Sequence, residues 1–170
     1  MITMRKLSLV LLLSIFAVIA VNAQAPLVKG QKQVNAGVGF SGWGIPIYAG
    51  MDFGVYKDIT VGFEGSFRTY TDRWAGENYH HTIFGFAGNG NYHFNRILNM
   101  PSNFDFYAGL SLGFYIWSSS SNYEGNGSSG LGINAQVGGR YFFTKNFGLN
   151  CELGGGNAFS GGKFGITYIF

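Results

Sequence analysis

Charged residues are scarce in this chain of 170 residues. Asp, Glu, Lys and Arg make up 11% of it, about half the share that a soluble domain usually carries. Aromatic residues reach 18%, and glycine occurs 28 times. So little charge beside so many aromatic rings predicts a surface that faces lipid rather than water.

Long apolar runs are also missing beyond the N-terminal region. No later segment holds the twenty or so consecutive apolar residues that a membrane-spanning helix needs. Backbone N–H and C=O groups in lipid must all be hydrogen-bonded within the protein. A lipid-facing chain without such helices is therefore predicted to be a closed β-barrel.

Features of cofactor, metal and nucleic-acid sites are absent as well. Gly37-x-Gly39 and the three glycines 154–156 lack the strand-to-helix context and the Lys of a phosphate-binding loop. Cys151 is the single cysteine, so no internal disulfide is possible, and we expect it to act as a small apolar side chain. The basic residues form no patch. We expect no cofactor, no metal and no nucleic-acid partner.

The N-terminus has the pattern of a secretory signal. The basic Met4–Lys6 precedes an apolar stretch, Leu7–Val21, and small residues follow at Val21–Ala23. This order predicts a signal peptide over residues 1–23, cleaved after Ala23, and a mature domain over residues 24–170. The alternative is a retained anchor, for which the apolar stretch is short. Cleavage would remove two of the 11 basic residues and bring the charge close to balance with the eight acids.

Eight segments of the mature chain alternate apolar and polar residues with a period of two, which indicates strands with one apolar face. The predicted strands are Val34–Ser41, Ile47–Tyr56, Thr60–Tyr70, His81–Phe94, Phe104–Trp117, Leu131–Phe142, Phe147–Gly156 and Gly162–Phe170. Tight polar turns and longer Ser-, Asn- and Gly-rich loops alternate between most of them. The predicted fold is all-β, an eight-stranded antiparallel transmembrane up-and-down β-barrel.

Every charged residue inside these strands falls on the less apolar face. The set is Asp52, Glu64, Arg68, Asp105, Arg140, Glu152 and Lys163. A Lys or Arg that faces lipid costs about 2–4 kcal/mol at mid-bilayer. The apolar face is therefore expected to contact lipid and the charged face to line the lumen. A soluble ligand-binding barrel such as a lipocalin would have the opposite arrangement.

Two stretches carry a family resemblance. One is Gly139–Leu149, an aromatic pair and a polar turn, followed by Glu152-Leu153-Gly154; the other is the last strand, with alternating apolar residues that end in Phe170. They resemble the small eight-stranded outer-membrane barrels of the OmpA/OmpX/opacity type. The resemblance implies a porin-like monomer in the outer membrane of a Gram-negative cell, in contact with outer-membrane lipid. It also implies that the barrel-assembly machinery reads a signal formed by Phe164, Ile166, Tyr168 and Phe170.

The inward charges are predicted to form a network that closes the lumen. Its members are Asp52, Glu64, Arg68, Arg140, Glu152 and Lys163. Counting back from a turn at residues 57–59 sets Asp52 opposite Glu64, and two facing carboxylates need a cation. Arg140 should lie opposite Asn150, near Glu152, and reach across the lumen toward Asp52 and Glu64. This network favours a non-enzymatic barrel in envelope integrity or surface interaction; the alternative is a narrow channel for small solutes.

A lipid-modifying enzyme of the outer leaflet is the third possibility. His80 and His81 lie at a loop edge, where a pair of histidines is expected to be solvated. Glu77, Ser66 and Ser118 could supply an acid and a nucleophile, provided the fold brings them together. No catalytic residue is assigned on this pattern.

Aromatic residues are expected to form a girdle at each membrane surface. Trp43, Trp74 and Trp117 would lie near the outer rim, beside loops at residues 41–46, 71–80, 118–130 and 157–161. The inner-rim set is Phe94, Phe104, Tyr141, Phe147, Tyr168 and Phe170. The connection Asn95–Asn103 is long for the periplasmic side.

Overall fold

A computed structural model describes residues 26–74, 77–119, 129–157 and 160–170. The strands are β1 (Lys32–Ser41), β2 (Ile47–Tyr56), β3 (Ile59–Trp74), β4 (Glu77–His93), β5 (Phe104–Ser119), β6 (Gly130–Phe142), β7 (Phe147–Gly156) and β8 (Ser160–Ile169). Each strand pairs antiparallel with its sequence neighbours, and β8 pairs with β1, which closes the barrel. The predicted fold is confirmed.

One prediction is a signal peptide before the barrel, and another is the absence of membrane-spanning helices. The predicted signal peptide, residues 1–23, lies outside the described residues. Within the described part of the chain, no helix is long and apolar enough to cross a membrane.

The two faces of the barrel separate as the alternation predicts. Large apolar side chains point outward, for example Phe63 and Leu110, which are 57% and 63% exposed. Charged side chains of the same strands point inward, and Asp52 and Arg140 are buried at 2% and 4% exposure. An apolar outer belt around a polar lumen suits a barrel surrounded by lipid.

The hairpin of β3 and β4 is longer than the alternation indicated. Residues 71–80, predicted to be a loop, mostly continue the two strands, and Thr71 pairs with His80 and Asp72 with Tyr79. β2 pairs with β3 only as far as Phe67, so the end of this hairpin extends beyond its neighbour. Past the apolar belt both faces are polar, so alternation stops although the backbone ladder continues.

The turn between β2 and β3 corrects the predicted pairing of Asp52 with Glu64. The turn has two residues, Lys57 and Asp58, rather than three, and Asp58 takes a left-handed φ of 63°. A register shift follows between Gly54 and Tyr56. The resulting pairs are Gly54 with Thr60, Asp52 with Gly62, and Gly50 with Glu64. Each carboxylate therefore lies opposite a glycine, and a Cβ at Gly62 would collide with the Asp52 carboxylate.

The end of the barrel that carries the turns at residues 57–58, 94–103 and 143–146 is named the turn end, and the opposite end the loop end. At the turn end, Leu27, Phe142 and Ile169 form a buried apolar cluster. The segment before β1 is bound to β2, because Gly30 N donates to Gly54 O (2.8 Å) and Gly54 N to Gln31 O (3.0 Å). Apolar packing therefore covers this end of the lumen.

The connection between β4 and β5 is an ordered turn. The Asn95 side chain donates to Phe104 O and accepts from Phe106 N at 3.1 Å. Arg96 binds the carboxylate of Asp58 at 2.6 Å, and this hydrogen bond raises the pKa of the guanidinium above its ordinary value. The connection is thereby bound to the β2–β3 turn.

Candidate functional site

The Arg140 side chain extends into the lumen, in the half of the barrel nearer the turn end. Its Nη2 donates to Asp52 Oδ2 at 2.7 Å and its Nη1 to Asp105 Oδ2 at 2.9 Å. The carboxamide oxygen of Gln33, in the orientation that satisfies the network, accepts from Arg140 Nε at 3.0 Å. β2 and β6 lie on opposite walls of the barrel, so one guanidinium spans the lumen. Arg140, Asp52 and Asp105 are named the inner cluster.

Hydrogen bonds extend the inner cluster around the barrel wall. The chain of side chains is Thr60, His93, Asp105, Arg140, Asp52, Asn35 and Thr167, with successive contacts of 3.0, 2.7, 2.9, 2.7, 2.9 and 2.8 Å. Seven of the eight strands contribute one residue each. Such a chain ties the strands to one another at one level of the barrel.

Part of this chain, Thr60–His93–Asp105, has the hydrogen-bond order of a nucleophile, base and acid. Catalysis by such a set requires space for a reacting carbonyl beside the hydroxyl. Thr60 is 1% exposed and His93 is fully buried. In this conformation the set fixes strands together and offers no surface to a substrate.

Lys163 is the centre of a second group of charges, nearer the loop end. Its Nζ lies 2.7 Å from Glu64 Oε2 and 2.7 Å from Glu152 Oε1. Lys163, Glu64 and Glu152, named the outer cluster, join β8, β3 and β7. Their side chains are 13–26% exposed, so this group is more open to water than the inner cluster.

Tyr107 connects the two clusters. Its hydroxyl donates to Glu152 Oε2 at 2.9 Å, and its ring lies 4.3 Å from the guanidinium carbon of Arg140. A cation over a desolvated ring is attracted by the ring quadrupole. The lumen thus contains one continuous polar network rather than two separate ion pairs.

The free space of the lumen lies mainly above this network. A cavity of about 120 Å³ toward the loop end is lined in part by Glu64, Arg68, Tyr115, Asn134 and Lys163. Only about 20 Å³ remains between the two clusters. Pockets for drug-sized ligands usually measure about 300–1,000 Å³, so the larger space suits water or a very small solute.

The contacts differ in part from those predicted for the six network residues. Arg140 lies opposite Asn150 and reaches Asp52 as predicted, whereas Glu64 and Glu152 bind Lys163 instead of Arg140. Arg68 lies at the cavity wall, where Nη1 donates to Ser41 Oγ at 3.0 Å.

Asp105 and His93 are partners in the network that were not among the predicted members. Asp105 pairs directly with Arg140 in the β5–β6 register. The long loop between these strands hides that register from counting, although the inward parity of both residues was visible. Their position on the inward face of the strand alternation was the signal that could have identified them.

Trp117 lies near the loop end as predicted, but its ring does not join a girdle that faces lipid. Its ring is on the lumen side and lies 5.4 Å from Trp43 and 6.0 Å from Tyr70. Tyr70 in turn stacks on His81 at 4.7 Å. These rings cover the loop end of the lumen instead of facing lipid. The side chain of Trp74 lies outside what the structure describes.

The histidine pair is divided between the two faces of β4. His81 is buried at 1% exposure, not solvated as expected, and its Nδ1 lies 2.8 Å from Ser119 Oγ. His80 contacts Thr71 Oγ1 at 2.9 Å. Ser118 pairs with Thr82 on the outer face, whereas Ser66 lines the lumen. His81 and Ser66 share the lumen side but are four register positions apart, since Ser66 pairs with Gly85 and Tyr70 with His81, and Glu77 lies farther still, opposite Trp74. The described residues contain no group of three potential metal ligands.

The last strand and the inner-rim aromatics lie on the outer surface near the turn end. The outward residues of β8 and its final aromatic are Phe164, Ile166, Tyr168 and Phe170, each close to half exposed or more. Phe170 N donates to Lys32 O at 2.9 Å, so even the terminal residue is bound to β1. Neighbouring inner-rim rings contact one another, for example Phe104 with Tyr141 at 4.8 Å.

Searches against protein-family models and curated proteins find no match. Solved structures do match. The N-terminal β-barrel domain of Pseudomonas aeruginosa OprF is 15% identical with a TM-score of 0.61, over 84% of this chain and 98% of that one. The outer membrane protein OprG of the same organism is 9% identical with a TM-score of 0.66, over 88% of this chain and 99% of that one. Neisserial surface protein A is 14% identical with a TM-score of 0.53, over 82% of this chain and 93% of that one.

Identities this low carry information about the fold and none about activity. The matched proteins are small barrels of the outer membrane, and each is covered almost completely by this chain. The chain therefore has the fold of the small eight-stranded outer-membrane β-barrels.

Proposed function

We propose that this protein is a non-enzymatic, monomeric barrel of the outer membrane with a closed lumen. Its role is structural, in envelope integrity or in surface interaction, rather than solute passage. We further propose that a signal peptide over residues 1–23 delivers it, and that the outward aromatic pattern of β8 is read by the barrel-assembly machinery. Both inferences rest on the sequence pattern and on the outward position of those residues.

The observation that carries the proposal is the bridging of the lumen by two cations. Arg140 binds carboxylates from β2 and β5, and Lys163 binds carboxylates from β3 and β7. Breaking one side of a buried ion pair typically costs about 3–5 kcal/mol. A solute crossing the lumen would have to separate these pairs and displace the Tyr107 ring between them. This supports a plug over an open pore.

The channel alternative has one observation in its favour. The half of the lumen nearer the loop end holds the 120 Å³ cavity beside the partly exposed outer cluster. A pore would still need the inner cluster, the Lys163 ion pairs and the apolar cluster at the turn end to open, together with the rings at the loop end. The inner cluster is the more deeply buried of the two charged clusters, so Arg140 is the residue to replace.

Conductance in planar bilayers tests the proposal. The wild-type barrel should show no steady conductance, and Arg140→Ala should raise it, because the guanidinium that crosses the lumen is lost. Arg140→Lys is the matched control: it keeps a cation of similar length but cannot bind two carboxylates in fork geometry, so it should show a smaller increase. A wild-type protein that conducts steadily, with Arg140→Ala unchanged, would establish the channel instead.

A further inference from the structure

A ring of basic side chains surrounds the turn end of the barrel. Its members are Lys29, Lys32, Lys57, Arg96 and Lys145, and all five are exposed. They are supplied by the segment before β1, the start of β1, the β2–β3 turn, the β4–β5 connection and the β6–β7 turn. In a closed barrel these connections follow one another around the rim, so the positive charge extends around the whole circumference.

The positive charge of this ring is mostly uncompensated. Asp58 is the one acidic side chain in the described turns and connections of this end, and it is buried against Arg96. None of the four lysines forms an ion pair with another described residue. The described exposed charged residues of the loop end are Asp72, Arg73 and Glu77, which sum to a negative charge. The excess of cations is thus specific to one end.

Aromatic rings place these lysines at the depth of lipid headgroups. Tyr56, 66% exposed, precedes Lys57, and the exposed Phe147 follows Lys145 by two residues. The backbone of Lys32 accepts the hydrogen bond from Phe170, whose ring is also exposed. Exposed aromatic residues at barrel rims lie at the membrane interface. The ammonium groups beside them are therefore within reach of phosphate.

We propose that this ring binds the anionic phospholipid headgroups of the periplasmic leaflet. In bacterial barrels the short turns face the periplasm, so the turn end meets the inner, phospholipid leaflet. Clusters of Lys and Arg at a membrane surface are attracted to anionic lipid. Each side chain in contact raises the affinity about fivefold. The chemistry recognised is a phosphodiester with net negative charge, such as phosphatidylglycerol, in preference to a zwitterionic headgroup.

Spin-label electron paramagnetic resonance on the full chain reconstituted in phosphatidylcholine bilayers tests this inference. Spin-labelled phosphatidylglycerol and phosphatidylcholine are compared in the motionally restricted lipid shell. The wild type should prefer phosphatidylglycerol by about twofold averaged over the shell, because only some lipids touch a lysine. Replacing the four lysines together by Gln should bring this preference to one. Replacing them by Arg should keep it.

Two controls separate lipid recognition from a loss of folding. Arg73→Gln, at the loop end, should leave the preference unchanged. High salt should lower the wild-type preference without any substitution, since interactions between exposed charges are screened. The inference is overturned if the wild type shows no preference, if the Gln variant retains it while folded, or if salt has no effect.

Discussion

Replacing Arg140 by Ala should lower the free energy of unfolding by about 3 kcal/mol. The substitution removes the cation of the inner cluster. Two carboxylates, each 2% exposed, would then remain inside the barrel without their cation. The contact of the guanidinium with Tyr107 would be lost as well.

The partners that remain place the loss at the lower end of the usual range of about 3–5 kcal/mol. Asp52 still accepts from Asn35 Nδ2 at 2.9 Å, and Asp105 still lies 2.7 Å from His93 Nδ1. Each carboxylate thus keeps one hydrogen-bond partner. The cost arises from charge left in the lumen more than from unsatisfied oxygen atoms.

Urea unfolding in lipid vesicles, followed by tryptophan fluorescence, measures this change. Adding Asp52→Asn and Asp105→Asn to Arg140→Ala removes the stranded charges and should recover most of the loss. Arg140→Lys should lose less than Arg140→Ala, because one cation remains. A change below about 0.5 kcal/mol in Arg140→Ala, the level of an ordinary surface substitution, would refute the network as a source of stability.

Two further predictions concern the ends of the chain. Phe164→Asp and Tyr168→Asp place a carboxylate against lipid, and deletion of Phe170 removes the terminal aromatic. All three variants should lower the yield of the protein in the outer-membrane fraction. The control Phe164→Leu keeps an apolar side chain and should leave the yield unchanged. Normal yields of the three variants would exclude β8 as an assembly signal. Mass spectrometry of the purified protein should show a mature chain that begins at Gln24. On detergent gels this chain should migrate differently before and after boiling. A chain that retains residues 1–23 would contradict the predicted cleavage.

The strands and their faces were predictable because a barrel in lipid imposes a strict rule on each position. Within the apolar belt an outward residue must be apolar and an inward one can be charged, so Phe63 and Glu64 are distinguishable from sequence alone. The same rule placed Arg140 and Lys163 in the lumen. It acts residue by residue and needs no knowledge of the neighbouring strands.

The partners of those inward charges depended on registers that local counting could not supply. A two-residue turn and a register shift moved Asp52 from Glu64 to Gly62, and the loop between β5 and β6 concealed the pairing of Asp105 with Arg140. The same limit applied to Trp117, whose contacts with Trp43 and Tyr70 arise only when the barrel closes.

The sequence by itself determined that the chain is a barrel, how many strands it has and which side chains face lipid. The reason is that a charged side chain against lipid is costly at each position separately. Only the tertiary structure decided that Arg140 joins Asp52 to Asp105 while Lys163 joins Glu64 to Glu152. These contacts cross a lumen between strands far apart in the chain. Their geometry depends on the stagger of all eight strands together, which no single segment encodes.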